Sequence, residues 1–457
     1  MDFKQNQKIN QVTEETLVVG IDIAKRTHFA CFVDDRGRIL QKSFSITQSH
    51  QGFESFYDRI LKALREHEKT EVLVGIEPTG HYWLNLAYFL EERGIPLVMT
   101  NPMHVKRSKE LDDNLPTKHD RKDALVIARL LKDGRFSYPR ILKDVEAELR
   151  VGSTFRSKLT EELGAVKNMM IRWLDRYFPE FTQVFPSFGK MALAVLECTP
   201  FPSDLYQMQP DELLVMYRQV EGMKSPQKPK AVRLIEVAAH SIGITEGRKM
   251  ARFEIATLVR RYHQLEQEIE CITQHLVELV KTSVEYEWLS TVQGLGDTTI
   301  VDLLAEIGSF SHYEDPRQLI KLAGLTLREN SSGQHKGQKR ISKRGRRKLR
   351  ALLFRVMMPM IRHNEAFRKL HEYYTNRTVN PLRKKQSIVV LCGKLLKVLH
   401  GISTKHKAFD AQRMMRDVPS LAEAMYLHFL ERTRQLDDTE KLALFSPFDL
   451  ESLKELR

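Results

Sequence analysis

Four carboxylates in this chain have the types and the placement to do chemistry together. Asp22 ends the apolar run LVVGID, Glu77 ends EVLVGIE, and Asp120 and Asp123 open DRKDALVIARLL. Side chains three apart at the start of a helix project from one face, so the last two form a pair. A carboxylate at the end of a buried strand costs free energy unless something compensates its charge. Several such acids, brought together from separate elements, would bind a hard divalent cation, Mg²⁺ or Mn²⁺. That is the chemistry of phosphodiester cleavage and transfer. Each acid taken singly has a simpler role. Asp22 could cap a turn, and Glu77 could be a strand-end charge before Pro78. Asp120 could complete a capping box with Thr117, and Asp123 could pair with Arg121 or Arg129. Those roles leave unexplained why all four fall on elements that converge.

The second constellation is ENSSGQHKGQKRISKRGRRKLR, from Glu329 to Arg350. After Glu329 it contains Lys336, Lys339, Arg340, Lys343, Arg344, Arg346, Arg347, Lys348 and Arg350, and no acid. A charge run is usually a solvated face. Here Gly333, Gly337 and Gly345 interleave it, so the backbone can approach a ligand closely. Phosphate contact is the better reading, with binding that weakens steeply in salt. Ser331 and Ser332 open the run. A serine hydroxyl is a poor nucleophile, and neighbouring guanidinium groups would stabilise its attack on phosphorus. By residue type alone, a Ser-Ser-Gly turn explains the pair more simply. His28, His81, His104 and His119 flank the acidic motifs. His119 adjoins Asp120, where it could assist proton transfer or merely begin a helix.

The elements that must position the acids read as an α/β domain over residues 17–135. Three strands, LVVGIDIA, HFACFVDD and RILQKSFSI, come first, with Asp34 to Gly37 as the turn between the second and third. Then follow a helix over 51–67, the strand EVLVGIE, a helix ended by Gly94, the strand PLVMT, and the helix DRKDALVIARLL. Hairpin-linked strands followed by alternating helices and strands give the order of the ribonuclease H-like (RuvC-like) fold. Its first strand, fourth strand and last helix converge at one edge of the sheet, and the four acids lie on those three elements.

Residues 1–16 read as a flexible N-terminus. Across 140–285 the pattern becomes helical. Leu159, Leu163, Val166, Met170, Trp173 and Tyr177 form a heptad seam, as do Leu258, Tyr262, Leu265, Ile269, Ile272, Leu276 and Leu279. These predict long coiled-coil helices, packed on each other or on a second copy, around a helical insert at about 179–250. Residues 286–404 form a helical C-terminal domain. In it, QGLGDTTIVDLLAEIG resembles a helix-hairpin-helix whose turn, at Gly294 and Gly296, could offer N–H groups to a phosphate. A tight turn between packed helices explains that segment equally well. Residues 405–457 read as a helical tail.

The composition suits a nucleic-acid partner. The 457 residues carry a formal net charge of +13, which points to a polyanion. The four cysteines include no CxxC pair, so neither a structural zinc site nor a disulfide framework is expected. No apolar run reaches the ~18 residues that span a bilayer, and the N-terminus lacks a signal-peptide core. A cytoplasmic, nucleoid-associated protein is expected.

GIDIAK, the Glu-x-Thr-Gly motif with Tyr82, NPMHVK and TKHDRKDALVIARLL resemble the N-terminal domain of the DEDD insertion-sequence transposases, a domain shared with Piv-type DNA invertases. QGLGDTTIVDLLAEIG, KLAGLTLRENSSG and ISKRGRRKLRALLF resemble the same family's C-terminal domain. The resemblance implies a recombinase that cleaves and rejoins double-stranded donor and target DNA. It implies that Asp22, Glu77, Asp120 and Asp123 hold Mg²⁺ and that Ser332 forms a phosphoserine bond to DNA. It further implies a homo-oligomer, a dimer or tetramer, in which one copy's serine domain completes another's acidic site, and a structured guide (bridge) RNA. Leu327 stands where the family often has proline. Ser331 beside Ser332, and more distantly Ser342, leave the nucleophile's identity open. Two other readings compete: a metal-dependent junction nuclease in which water attacks, and a non-catalytic nucleic-acid scaffold.

Overall fold

The computed structural model describes residues 3–112, 120–220, 222–328, 331–332, 335–336, 340–377 and 380–415, with side chains outside 3–4, 110–121 and 329–339. The chain divides into two compact units, Met1–Leu142 and Lys143–Arg457.

The first unit is a mixed α/β layer structure. Its elements are α1 (Phe3–Ile9), β1 (Thr16–Asp22), β2 (Thr27–Val33), β3 (Ile39–Thr47), α2 (His50–Glu66), β4 (Glu71–Glu77), α3 (Leu84–Glu92), β5 (Leu97–Thr100), α4 (Pro102–Asp112), α5 (Asp120–Lys132) and β6 (Phe136–Ser137). The six strands form one sheet in the order β3-β2-β1-β4-β5-β6. β1, β2 and β3 pair antiparallel, β4 joins β1 in parallel, β5 joins β4 in parallel, and β6 closes the edge antiparallel. This arrangement is consistent with a ribonuclease H-like domain.

The central strands are apolar on both faces because both faces are covered. On one face Leu17, Val19, Ile21, Phe32, Val74 and Ile76 pack with Phe53, Phe56 and Leu90 of α2 and α3. On the other, Val18, Cys31, Leu73 and Val98 pack with Ala124, Ile127, Ala128 and Leu131 of α5. Two glycines let α5 lie directly on the sheet. A Cβ on Gly20 would meet the Ala124 carbonyl oxygen at 2.1 Å, and one on Gly75 would meet the Leu131 side chain at 2.3 Å. Gly20 and Gly75 are cross-strand partners, so they form one smooth strip under the helix.

Three elements of this unit were not foreseen from sequence: α1, which lies in the stretch read as a flexible N-terminus, α4 and β6. The start of α4 carries a legible signal, since Asn101 Oδ1 accepts from the Met103 N–H at 2.9 Å and Pro102 takes the first helical position.

The second unit is helical. Its long members are α6 (Asp144–Tyr177) and, after the insert, α12 (Arg248–Lys281). The insert holds α7 (Phe181–Val184), α8 (Lys190–Cys198), α9 (Pro202–Leu205), α10 (Pro210–Arg218) and α11 (Lys228–Ala239). The two long helices run side by side in opposite directions. The Trp173 indole N–H donates to the Ala251 carbonyl at 2.9 Å and Arg176 pairs with Glu254, while Leu149 and Leu276 share a core at the far end. The two apolar seams therefore face each other within one chain. Burial loosens around Ile269 and Ile272, between a core built on the insert and a second built on the C-terminal helices.

That second core gathers α13 (Val284–Leu289), α14 (Asp297–Ile307), α15 (Pro316–Leu322), α16 (Arg347–His363), α17 (Glu365–Asn376), α18 (Lys384–Lys405) and α19 (Ala411–Met415). Two short hairpins lie between α15 and α16. In one, β7 (Leu327–Arg328) pairs with β10 (Arg340–Ile341), and in the other β8 (Ser331–Ser332) pairs with β9 (His335–Lys336). α18 is long and apolar enough to cross a membrane by length and composition. Its apolar side, including Leu391, Leu395, Leu396 and Leu399, is instead buried in this core. Residues 416–457, read from sequence as the rest of the tail, lie outside the described residues.

Candidate active site

The acidic positions are set by strand register. Asp22 and Glu77 are the last residues of β1 and β4, and they are direct partners in the parallel ladder. Both are half-buried. Because α5 lies on Gly20 and Gly75, its first turns stand by these strand ends. Asp123 is mostly buried, with 14% of its side chain exposed, and it is ion-paired with Lys109 of α4. Asp120 opens α5, but its side chain lies outside the described residues, as does the whole of His119.

The charges of this cluster act on one another. Burial pushes the Glu77 carboxyl above its usual pKa, the Lys109 ammonium pulls it back down, and Asp123 pushes it up further. Glu77, Asp123 and Lys109 thus share one electrostatic environment at the strand ends. Among the described residues, no three acid, His or Cys side chains stand close enough to hold a metal ion. The donor set still suits a hard cation, since all four side chains offer carboxylate oxygens. A positive group, the Lys109 ammonium, already sits on one of them. Lys109 belongs to α4, which the sequence reading passed over, and so its role was missed with its helix.

His28 plays a part that residue type did not reveal. It is completely buried. Its Nδ1 accepts from the Ala24 N–H at 3.2 Å, its Nε2 bonds Gln48 Oε1, and Gln48 Nε2 donates to the Tyr82 carbonyl at 3.0 Å. These bonds assign the tautomer, with the proton on Nε2. Burial lowers the His28 pKa against the opposing effect of both hydrogen bonds, which keeps the ring neutral. The chain of contacts ties the loop after Asp22 to the loop after Glu77. The His81 ring lies tilted against Tyr82, with centroids 4.5 Å apart, and His104 is exposed on α4.

The serine segment is a hairpin. Ser331 is opposite Lys336, and Ser332 is opposite His335. Their side chains, with those of Lys336 and Lys339, fall outside the described residues. The rest of the basic run separates into two groups. Arg346 bonds the Glu306 carbonyl and faces its carboxylate at 3.7 Å, and Arg350 donates to the carbonyls of Ala323 and Lys343 at 3.0 and 3.3 Å. These two guanidinium groups hold the fold together. Arg340, Lys343, Arg344, Arg347 and Lys348 are exposed, and no described carboxylate pairs with them. Gly345 also has a structural reason. A Cβ there would strike the Leu322 oxygen at 2.4 Å and the Gly324 nitrogen at 2.6 Å. Close approach of two backbone segments, rather than of a ligand, requires it. Gly294, with φ +98°, turns the chain between α13 and α14, and Gly296 precedes the first residue of α14 without a side-chain cap.

Comparison with known proteins bears on this arrangement. A DEDD-type IS110 transposase profile matches residues 19–179, and a profile described as "Transposase IS116/IS110/IS902 family" matches residues 286–372. Together they span more than half of the chain and fall on the acidic and serine segments. The chain belongs to the IS110/IS116/IS902 transposase family. Enzymes of this class are DNA transposases and recombinases, and the chain is one. Among its relatives is the pilin gene-inverting protein of Moraxella lacunata, 23% identical over 396 residues, covering 86% of this chain and 97% of that protein. Another is the transposase for insertion sequence element IS1111A of Coxiella burnetii, 18% identical over 408 residues, covering 88% and 94%. The family thus includes both transposases and an inverting protein.

Proposed function

We propose that this chain recombines a mobile DNA element by cleaving and rejoining strands through Ser332, with Asp22, Glu77, Asp120 and Asp123 forming the acidic half of the active site. The observation that carries the reading is the pairing of Asp22 with Glu77 at adjacent strand ends, beside the buried Asp123. A divalent cation, Mg²⁺ or Mn²⁺, bound there would neutralise charge on the phosphate and on the departing oxygen. The chain's own residues do the rest. The Ser332 oxygen gives up its proton and forms a bond to phosphorus, the bond from phosphorus to a sugar oxygen breaks, and that oxygen takes up a proton in turn. The phosphoserine conserves the energy of the broken bond, and attack by a sugar hydroxyl of the new strand releases the serine. Exposed Lys343, Arg344, Arg347 and Lys348 contact DNA phosphates, and the Gly294–Gly296 turn presents N–H groups to another.

By resemblance, the enzyme works in the cytoplasm as a dimer or tetramer guided by a structured RNA, with the serine of one copy serving the acids of another. Two rivals make different forecasts. In a strand-exchange assay, Ser332→Ala abolishes cleavage under this proposal and leaves DNA binding intact, whereas a nuclease that uses water still cleaves. Asp22→Asn abolishes cleavage in both, and would change nothing in a non-catalytic scaffold.

A further inference from the structure

A second cation-lined surface is built on α18 and the segment that follows it. α18 carries Lys394, Lys397 and Lys405 on one stripe, spaced so that successive side chains stack along the helix. Lys407 and Arg413, from the segment that folds back after α18, face that stripe across a cleft of about 470 Å³. Among the described residues, Asp410 is the one acid lining the cleft, and its Oδ1 accepts from the Arg413 backbone N–H at 3.0 Å. No described carboxylate forms an ion pair with any of the five cations.

Two further features shape the cleft. Gly401 sits on the stripe between Lys397 and Lys405, and a Cβ there would meet nothing within 4 Å. The helix surface is therefore recessed at that point. Phe409, half-buried against the C-terminal core, also lines the cleft, its backbone N–H anchored to Thr291 Oγ1 at 2.9 Å. Cations with no described carboxylate partner, beside a half-exposed aromatic ring, are the combination that holds a single strand, with phosphates on the cations and a base against the ring. Duplex DNA keeps its bases stacked inside and cannot use the ring.

We infer that the α18–α19 cleft is a binding site for single-stranded nucleic acid, distinct from the basic run beside the serine. The inference uses neither the metal nor the nucleophile, so it stands or falls apart from the proposed mechanism.

The test is fluorescence anisotropy with the full-length protein in EDTA, using labelled dT20, rU20 and a 20-base-pair duplex as probes. Lys397→Glu combined with Lys405→Glu is expected to weaken single-strand binding about tenfold and to reduce the salt slope by about 1.4, roughly 0.7 per lost phosphate contact. Phe409→Ala is expected to weaken single-strand binding about fivefold and leave duplex binding unchanged. Loss for dT20 alone, rU20 alone, or both supports the site and names the polymer it takes. Unchanged single-strand affinity in the charge-reversed protein, with circular dichroism showing it folded, overturns the inference. Equal losses for strand and duplex, or competition by polyglutamate as strong as by unlabelled dT20, overturn it too.

Discussion

Asp22 and Glu77 are partners in the parallel ladder at the last residues of β1 and β4, so two carboxylates leave the sheet side by side. Neighbouring like charges repel, and burial makes the repulsion costlier. The Glu77 pKa is raised by burial, against the pull of the Lys109 ammonium and with a further push from Asp123.

Replacing Glu77 with Gln therefore separates stability from function. Glu77→Gln is expected to raise the melting temperature in metal-free buffer, because a desolvated charge is removed. Under the proposed function Mg²⁺ stabilises the parent protein, and the variant is expected to lose that stabilisation. Thermal scans with and without Mg²⁺ check both. A variant that melts lower without metal would show that the carboxylate is already well compensated.

Lys109 occupies Asp123 with a positive charge. If that ammonium holds the place of a cation, Lys109→Met strengthens Mn²⁺ binding, read as a lower free-Mn²⁺ signal in electron paramagnetic resonance. Weaker Mn²⁺ binding would mean instead that Lys109 orients Asp123 for the metal.

His28 gives a pH dependence of defined sign. Its folded pKa lies below the ordinary 6.5, so on acidification the unfolded chain takes up the proton first. The stability it contributes is intact above 6.5 and is lost as pH falls toward the folded value. Urea midpoints at about pH 7.5 and 5.5 should differ more for the parent than for His28→Gln. Equal differences would remove His28 from the acid response.

Gly20→Ala tests how α5 reaches the strand ends. The added Cβ would collide with the Ala124 carbonyl, which belongs to backbone and cannot rotate away. A loss of ~3 kcal/mol, at the top of the range for overpacking, is expected in chemical denaturation. A neutral result would mean that α5 can lift from the sheet, and with it the acids it carries.

Much of this molecule was legible in its sequence. Strand runs such as LVVGID and EVLVGIE announce themselves by continuous apolar residues and end at their acids. The heptad seams marked α6 and α12, although spacing alone left open whether they pair within or between chains; Trp173 against Ala251 answers that for this fold. α4 went unread because KRSKELDD is nearly all polar and lacks a periodic apolar face. The contribution of His28 was invisible because it depends on Gln48 and Tyr82, which only folding brings near. The basic run read as uniform, yet Arg346 and Arg350 bond backbone carbonyl groups of the fold. Residue type gives charge but not direction.

The central claim is that a serine hydroxyl, acting with the acids at the ends of β1 and β4, becomes covalently joined to DNA. Incubating the protein with nicked element-end DNA and Mg²⁺, denaturing the mixture, and mapping any protein–DNA adduct by peptide mass spectrometry tests it most directly. The account predicts an adduct on Ser332 that vanishes in Ser332→Ala and in Asp22→Asn. Efficient cleavage with no adduct, or an adduct that survives Ser332→Ala, would contradict it.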